Sequence, residues 1–197
     1  MRYSIVIPTY NHCEKYLKSC IDSIIKYTNM GDVELVISAN GCTDNTGAYL
    51  DYLQTAIPNL YVVWSNEPLG FAQACNKGIR VCNGDKIVLL NNDTVLLEQP
   101  KNNWLERLDG HDISGVRVNY SPEAKCKFAV FFCVMIDRKV FDSVGMLNEE
   151  YGTGGGEDIE FCAKAQELGF ELHDEGWMGN FPIYHVGEAT VHDTNLV

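Results

Sequence analysis

The sequence has no CxxC pair, no long apolar run and no excess of positive charge, and each absence excludes a class of protein. Its longest wholly apolar stretch, Phe128 to Ile136, is nine residues, against the roughly 20 that span a bilayer, so no integral membrane segment is expected. The cysteines Cys13, Cys20, Cys42, Cys75, Cys82, Cys126, Cys133 and Cys162 occur singly, which disfavours a zinc knuckle or a thioredoxin-like dithiol. Their apolar settings read as small buried hydrophobes in a reducing compartment. Fifteen Lys and Arg stand against 27 Asp and Glu, a formal charge of −12. Such a chain lacks the basic surface that holds nucleic acid by its phosphates, or a membrane by its anionic headgroups. A bound anion would need backbone amides or a divalent cation to balance it. The start, MRYSIVIPTYN, carries one Arg and then reads as a strand, so no secretory signal is expected and a cytoplasmic location, including the membrane surface, follows.

What is present is an ordinary globular composition, 46% hydrophobic and 21% charged, enough to bury one core and too apolar for disorder. The first hundred residues alternate between two periods. Tyr3 to Ile7, Val33 to Ser38, Leu60 to Trp64 and Lys86 to Leu90 read as short apolar strands, the first stopped by Pro8. Between them, apolar residues recur at helical spacing: Leu17 to Ile25, Tyr49 to Ala56, and Ala72 to Ile79, the last ended by Asn83-Gly84. Strands alternating with helices predict an α/β fold with a mainly parallel sheet flanked by helices. Ligands bind such sheets beyond the carboxyl ends of the strands. Polar clusters fall there, at Pro8 to Asn11, Asn40 to Thr46, Asn66 to Gly70 and Asn91 to Thr94. In the second half, His111 to Asn119 and Phe128 to Ile136 read as strands, and Arg138 to Val144 as a short helix. Tyr151 to Gly156 holds four glycines in six residues and precedes a helix over Glu157 to Leu168 closed by Gly169. Phe170 to His173 and Phe181 to Val186 read as final strands. No repeat or linker interrupts the chain, which is read as a single domain over residues 1–197, with continuation in a longer protein left open.

Six motifs in order resemble the inverting glycosyltransferases of the GT-A fold, the family 2 group. They are SIVIPTYN (Ser4 to Asn11), SANGCTDNT (Ser38 to Thr46), NEPLGFAQACNKGI (Asn66 to Ile79), IVLLNNDT (Ile87 to Thr94), GGGEDIEFCAKAQELGF (Gly154 to Phe170) and YHVGEAT (Tyr184 to Thr190). The fourth is similar to the NND variant of rhamnosyltransferase-like members. The resemblance covers nearly the whole chain. It implies a GT-A domain that moves a sugar from a nucleotide-diphosphate sugar to a hydroxyl of a glycan or glycolipid. UDP is the leading donor nucleotide and dTDP the next, and Mn²⁺ or Mg²⁺ the cofactor.

On that resemblance Asp93 is the candidate metal ligand and His185 the second. Hard divalent cations take few protein oxygens together with substrate phosphates, although an Asn-Asn-Asp run also suits a turn. A lone His is more often structural, and His192 and His173 are weaker candidates. Asn91 stands where many relatives carry an Asp and supplies no charge; Asn92 lies beside it. Thr9, Asn40 and Asp44 are candidates for holding the nucleotide, with Asp44 equally suited to capping a helix. Ala39 replaces an Asp that contacts the base in relatives. Gly70 would permit close approach to the nucleotide, and Asn76 would brace the Asn91 to Asp93 loop, while Lys77 is read as solvated. Asp158 is the candidate general base, since direct displacement at the anomeric carbon needs one carboxylate on the acceptor side. Glu157 would bond the acceptor or orient Asp158. Acidic residues in a first helical turn are also favoured by the dipole alone. Trp104, Phe131, Phe132, Tyr151 and Trp177 are aromatics on which a sugar could stack. Two other readings stand beside this one. A sugar-1-phosphate nucleotidyltransferase would need a basic glycine-rich loop after the first strand, which Pro8 to Asn11 does not provide. A non-catalytic glycan- or nucleotide-binding relative is suggested by Ala39 and Asn91 and opposed by Glu157-Asp158.

Overall fold

The computed structural model describes residues 2–176 and 180–187. Eleven strands and six α-helices occur among them, in the order β1 (Tyr3–Thr9), α1 (Lys18–Tyr27), β2 (Val33–Asn40), α2 (Thr46–Ala56), β3 (Leu60–Ser65), α3 (Phe71–Val81), β4 (Lys86–Leu90), β5 (Thr94–Leu96), α4 (Asn103–Leu108), β6 (Ile113–Gly115), β7 (Val118–Ser121), β8 (Cys126–Ala129), β9 (Cys133–Asp137), α5 (Arg138–Val144), α6 (Glu157–Glu167), β10 (Leu172–Asp174) and β11 (Ile183–His185). A π-helical turn, Cys13–Leu17, leads into α1, and a 3₁₀ turn, Glu149–Tyr151, precedes the glycine-rich segment.

Seven strands form one sheet in the order β10-β6-β9-β4-β1-β2-β3. The β3-β2-β1-β4 half is parallel, and β9 runs antiparallel between β4 and β6. The chain winds outward from β1 through β2 to β3, then returns to place β4 on the other side of β1. That reversal opens a crevice at the carboxyl ends of β1 and β4, the place where such sheets bind ligands. Helices cover both faces of the parallel half, so its central strands are buried: all eight residues of β2 are buried, the polar Glu34, Ser38 and Asn40 among them. Alternate residues feed two cores. Ile5 and Ile7 join Leu17, Ile21, Leu50 and Trp104 on one face, and Val6 joins Cys75, Ile79, Phe141 and Phe161 on the other.

The expected strands and helices of the first hundred residues are present, with β1, β2 and β3 each running one or two residues beyond the expected end. β1 runs through Pro8 to Thr9 because pairing with β4 ends at Val6–Leu89 while pairing with β2 continues to Thr9–Ala39. Each long strand expected in the second half is broken into two. Gly115 packs so tightly that a Cβ there would lie 2.6 Å from that of Ala129. The chain then leaves the main sheet as the β7–β8 hairpin and re-enters it at β9. Two further elements had no periodic signature. β5 is only three residues, paired antiparallel with β11. α4 is six residues, held by fully buried Trp104, whose indole donates to Thr28 Oγ1 at 3.0 Å. All eight cysteines are free thiols, and no described helix is long and apolar enough to cross a membrane.

Candidate active site

The crevice is a cavity of about 480 Å³. Its floor is made by strand ends: Pro8 and Thr9 at the end of β1 with Tyr10 after it, Asn40 at the end of β2, and Asn91, Asn92 and Asp93 after β4. The Asn91 to Thr94 turn is closed by the Thr94 amide and hydroxyl, both donating to the Asn91 carbonyl at 3.3 and 2.7 Å. Asn92 Nδ2 donates to Thr9 Oγ1 at 2.8 Å, tying β4 to β1. Asn40 lines the cavity, but its amide is spent on Leu69: Nδ2 donates to the Leu69 carbonyl at 2.8 Å and Oδ1 accepts from the Leu69 amide at 2.5 Å. It therefore shapes the wall formed by Pro68 and Leu69.

Asp93 and His185 meet in this cavity. β11 pairs with β5 so that His185 stands opposite Thr94, and the Val186 amide donates to the Asp93 carbonyl at 3.1 Å. The imidazole is stacked on Phe132, with ring centres 4.3 Å apart and planes 6° from parallel. Its Nε2 lies 3.1 Å from Asp93 Oδ1. Both atoms are buried, and neither has a hydrogen bond of acceptable geometry. Two buried polar atoms facing each other without such a bond call for a common partner. Two ligands of a hard divalent cation, each about 2.1 Å from it and at right angles, stand about 3 Å apart. The pair thus fits a divalent cation. Among the described residues no cluster of three or more His, Cys, Asp or Glu is arranged for a metal.

Across the cavity lies the first turn of α6. Gly154, Gly155 and Gly156 all have positive φ, between 110° and 129°, a conformation that side chains resist. The run turns the chain sharply into the helix, so that Glu157 and Asp158 both line the cavity with Thr153. Glu157 is buried, and its Oε2 accepts from the Gly155 amide at 2.7 Å, holding the glycine run against the helix. Burial pushes the Asp158 carboxyl up to about 6; the neighbouring Glu157 charge adds to this and hydrogen bonds from nearby amides partly oppose it. No Lys or Arg lines the cavity among the described residues.

Three sequence candidates lie elsewhere. Asp44 accepts from the Cys13 amide at 3.0 Å and from the Thr46 amide and hydroxyl at 3.0 and 2.5 Å, so it joins two loops outside the cavity. Gly70 does allow a close approach, but to protein: a Cβ there would sit 1.7 Å from the Gly152 carbonyl. Asn76 is fully buried and bonds Leu147 and Glu149 instead of the Asn91 to Asp93 loop. Lys77 donates to Ser65 Oγ at 2.7 Å. Of the aromatics, Trp104 belongs to the core, and Tyr151 packs on Gly156. Phe131 and Phe132 both line the cavity although they serve opposite cores. His173 stacks on His111 at 3.9 Å. Trp177, His192 and the end of the last motif at Thr190 lie outside the described residues. Tyr10, Leu69, Phe71, Val130 and Thr153 also line the cavity without having been singled out as site residues; Tyr10 and Leu69 fall in the polar clusters at the strand ends, Phe71 in the third motif and Thr153 in the glycine-rich segment, while Val130 carried no mark in the sequence.

The model of the family described as Glycosyl transferase family 2 matches residues 4–123. Glycosyltransferase GlyG of Streptococcus pneumoniae is 31% identical over 117 residues, 59% of this chain and 38% of that protein. A PGL/p-HBAD biosynthesis glycosyltransferase of Mycobacterium bovis is 35% identical over 99 residues, 49% of this chain and 37% of that protein. The chain thus spans well under half the length of these relatives. Among solved structures, the mannosyltransferase PcManGT of Pyrobaculum calidifontis, in complex with GDP-Man and Mn²⁺, superposes with a TM-score of 0.71 at 18% identity, covering 88% of this chain and 54% of that one. S. aureus TarS in complex with UDP-GlcNAc gives 0.64 at 17%, covering 84% and 53%. These two share the fold, the mixed α/β sheet that the resemblance implied. With the family model spanning well over half of its residues, the chain belongs to glycosyl transferase family 2.

Proposed function

We propose that this domain transfers a sugar, with inversion, from a nucleotide-diphosphate sugar to a hydroxyl of a glycan or glycolipid, using Asp158 as general base and a divalent cation held by Asp93 and His185. The observation that carries this is that the buried Asp93–His185 pair and the Asp158 carboxyl open onto one cavity. When bound, Mn²⁺ or Mg²⁺ supplies Lewis-acid stabilisation of the leaving diphosphate. Thr9, Asn91 and Asn92 floor the nucleotide end, and Asn40 holds its wall in place. Asp158 takes the proton of the attacking hydroxyl; a carboxyl raised to about 6 is a stronger base than an ordinary Asp and is still largely ionised at neutral pH. Glu157 orients the glycine segment that carries Thr153 to the acceptor side.

UDP leads as the donor nucleotide and dTDP follows. TarS was solved with UDP-GlcNAc and PcManGT with GDP-Man, both of the nucleotide-diphosphate class that the cavity is proposed to take. Ala39, buried at the end of β2, provides no carboxylate to read a base, so the base is held by shape and by backbone groups. We place the reaction in polysaccharide or glycolipid assembly in the cytoplasm, at the membrane surface where the acceptor is lipid-linked. Steady-state kinetics on Asp158→Asn and Glu157→Gln test the assignment. Asp158→Asn should lower kcat by about 100-fold or more while leaving donor affinity within a few-fold. Glu157→Gln should weaken acceptor use more than donor hydrolysis. Near-normal transfer by Asp158→Asn would remove the base from this account.

A further inference from the structure

Asn76 has no exposed surface and lies on α3, outside the cavity, yet it makes three hydrogen bonds to one segment. Its Nδ2 donates to the Leu147 carbonyl at 2.8 Å and to Glu149 Oε1 at 2.9 Å, and its Oδ1 accepts from the Leu147 amide at 3.0 Å. A buried amide with its groups so fully matched is costly to replace, and the partners here are a loop and not a neighbouring helix turn. Arg80, one helical turn further along, adds an ion pair to Glu149 at 3.3 Å. The residue between the two partners, Asn148, reaches the other way: its Nδ2 donates to Glu160 Oε2 at 2.9 Å. Glu160 is two residues beyond Asp158 on α6. A second contact joins the same elements. Gly70, at the start of α3, lies directly against the carbonyl of Gly152, and Tyr151 beside it packs its ring on Gly156, immediately before α6.

We propose that Asn76, with Gly70 on the same helix, positions Asp158, by seating residues 147–156 against α3 so that Asn148 and Tyr151 fix the first turn of α6. This rests on Asp158 being the general base. α3 also carries Phe71 and Ala74 on the cavity wall, so one rigid helix sets the donor side and the acceptor side of the cavity relative to each other. Neither Asn76 nor Gly70 touches the reacting groups; both act through the loop.

The test compares Asn76→Ala, Gly70→Ala and Asp158→Asn for kcat, acceptor KM and the affinity of UDP measured with Mn²⁺. At Gly70 the backbone φ is −66°, ordinary for alanine, so the methyl acts only by displacing Gly152. Misplacing a catalytic group by about 1 Å costs up to about 100-fold. The expected result is a fall in kcat of about 10- to 100-fold in both alanine variants, with UDP–Mn²⁺ affinity within about 3-fold of wild type, which a general loosening of the fold would not spare. Wild-type kcat in either folded variant, beside an inactive Asp158→Asn, would overturn the proposal. A parallel loss of nucleotide affinity and kcat would overturn it too, by making the contacts merely structural. Full activity of Asp158→Asn would instead defeat the general-base reading on which it rests. If Asn76→Ala fails to fold, Gly70→Ala decides.

Discussion

As the proposed general base, Asp158 would trade stability for reactivity. Its folded-state value of about 6 lies above the roughly 3.9 of an unfolded chain. Between these values the folded form binds the extra proton, and stability declines as pH rises through the window. Above pH 6 the cost of the buried charge is fully present. Asp158→Asn should therefore keep or raise Tm at pH 7 while losing activity, the signature of a site strained for function. The same shift fixes a kinetic prediction. The base must be ionised, so kcat/KM should rise with pH and level off above an apparent value near 6. A profile flat between pH 5 and 7 would contradict Asp158 as the titrating base. Asp93 and His185, the pair proposed to hold the cation, make a different prediction. His185→Ala should weaken Mn²⁺-dependent UDP binding, as isothermal titration with and without the metal would show; undiminished Mn²⁺ dependence would contradict it.

At the scale of elements, strand ends carry the site and strand starts hold the frame. At the opposite end of the sheet, Glu34 on β2 is fully buried. It accepts from Ser4 Oγ at 2.5 Å, from the Asn83 amide and side chain, and from the Gly84 amide at 3.1 Å. Burial pushes its carboxyl up, but these hydrogen bonds outweigh burial and hold it below the usual range. The stabilisation is present above the unfolded value of about 4.3 and is lost as pH falls through the lower folded value. Glu34→Gln places an amide donor among donors and should cost about 2 kcal/mol, measurable by urea unfolding at pH 7; an unchanged midpoint would contradict it. Much of this architecture was legible in sequence, because parallel strands buried on both faces read as apolar runs and their covering helices keep a 3.6-residue period. What was hidden is what periodicity cannot encode. Three-residue β5 and six-residue α4 are too short to show a period. The break at Gly115 depends on packing against Ala129. The lining of the cavity was legible where polar residues concentrate, since Asp93, Glu157, Asp158 and His185 all line it. It was not legible for Asp44, Gly70 and Asn76, because a loop–loop tie and a ligand contact use the same residue types.

For the whole molecule the deciding quantity is charge. The chain carries −12, and its cationic groups are largely engaged away from the cavity. Lys86 bridges Asp109 and Asp137, Arg2 pairs with Asp109, and Arg107 with Glu175. The cavity offers Asp93, Glu157 and Asp158 with no Lys or Arg among its described lining. A nucleoside diphosphate entering it alone would meet its own sign of charge in a partly desolvated site, where repulsion is weakly screened. The divalent cation proposed on Asp93 and His185 would reverse that balance, so donor binding and metal binding should be nearly inseparable. Titration of UDP into the protein with Mn²⁺ and then with EDTA, repeated on Asp93→Ala, tests this most directly. The account predicts at least about 100-fold tighter binding with Mn²⁺, a difference of about 2.7 kcal/mol, and loss of that difference in Asp93→Ala. UDP bound equally well in EDTA, or an undiminished Mn²⁺ effect in Asp93→Ala, would contradict it.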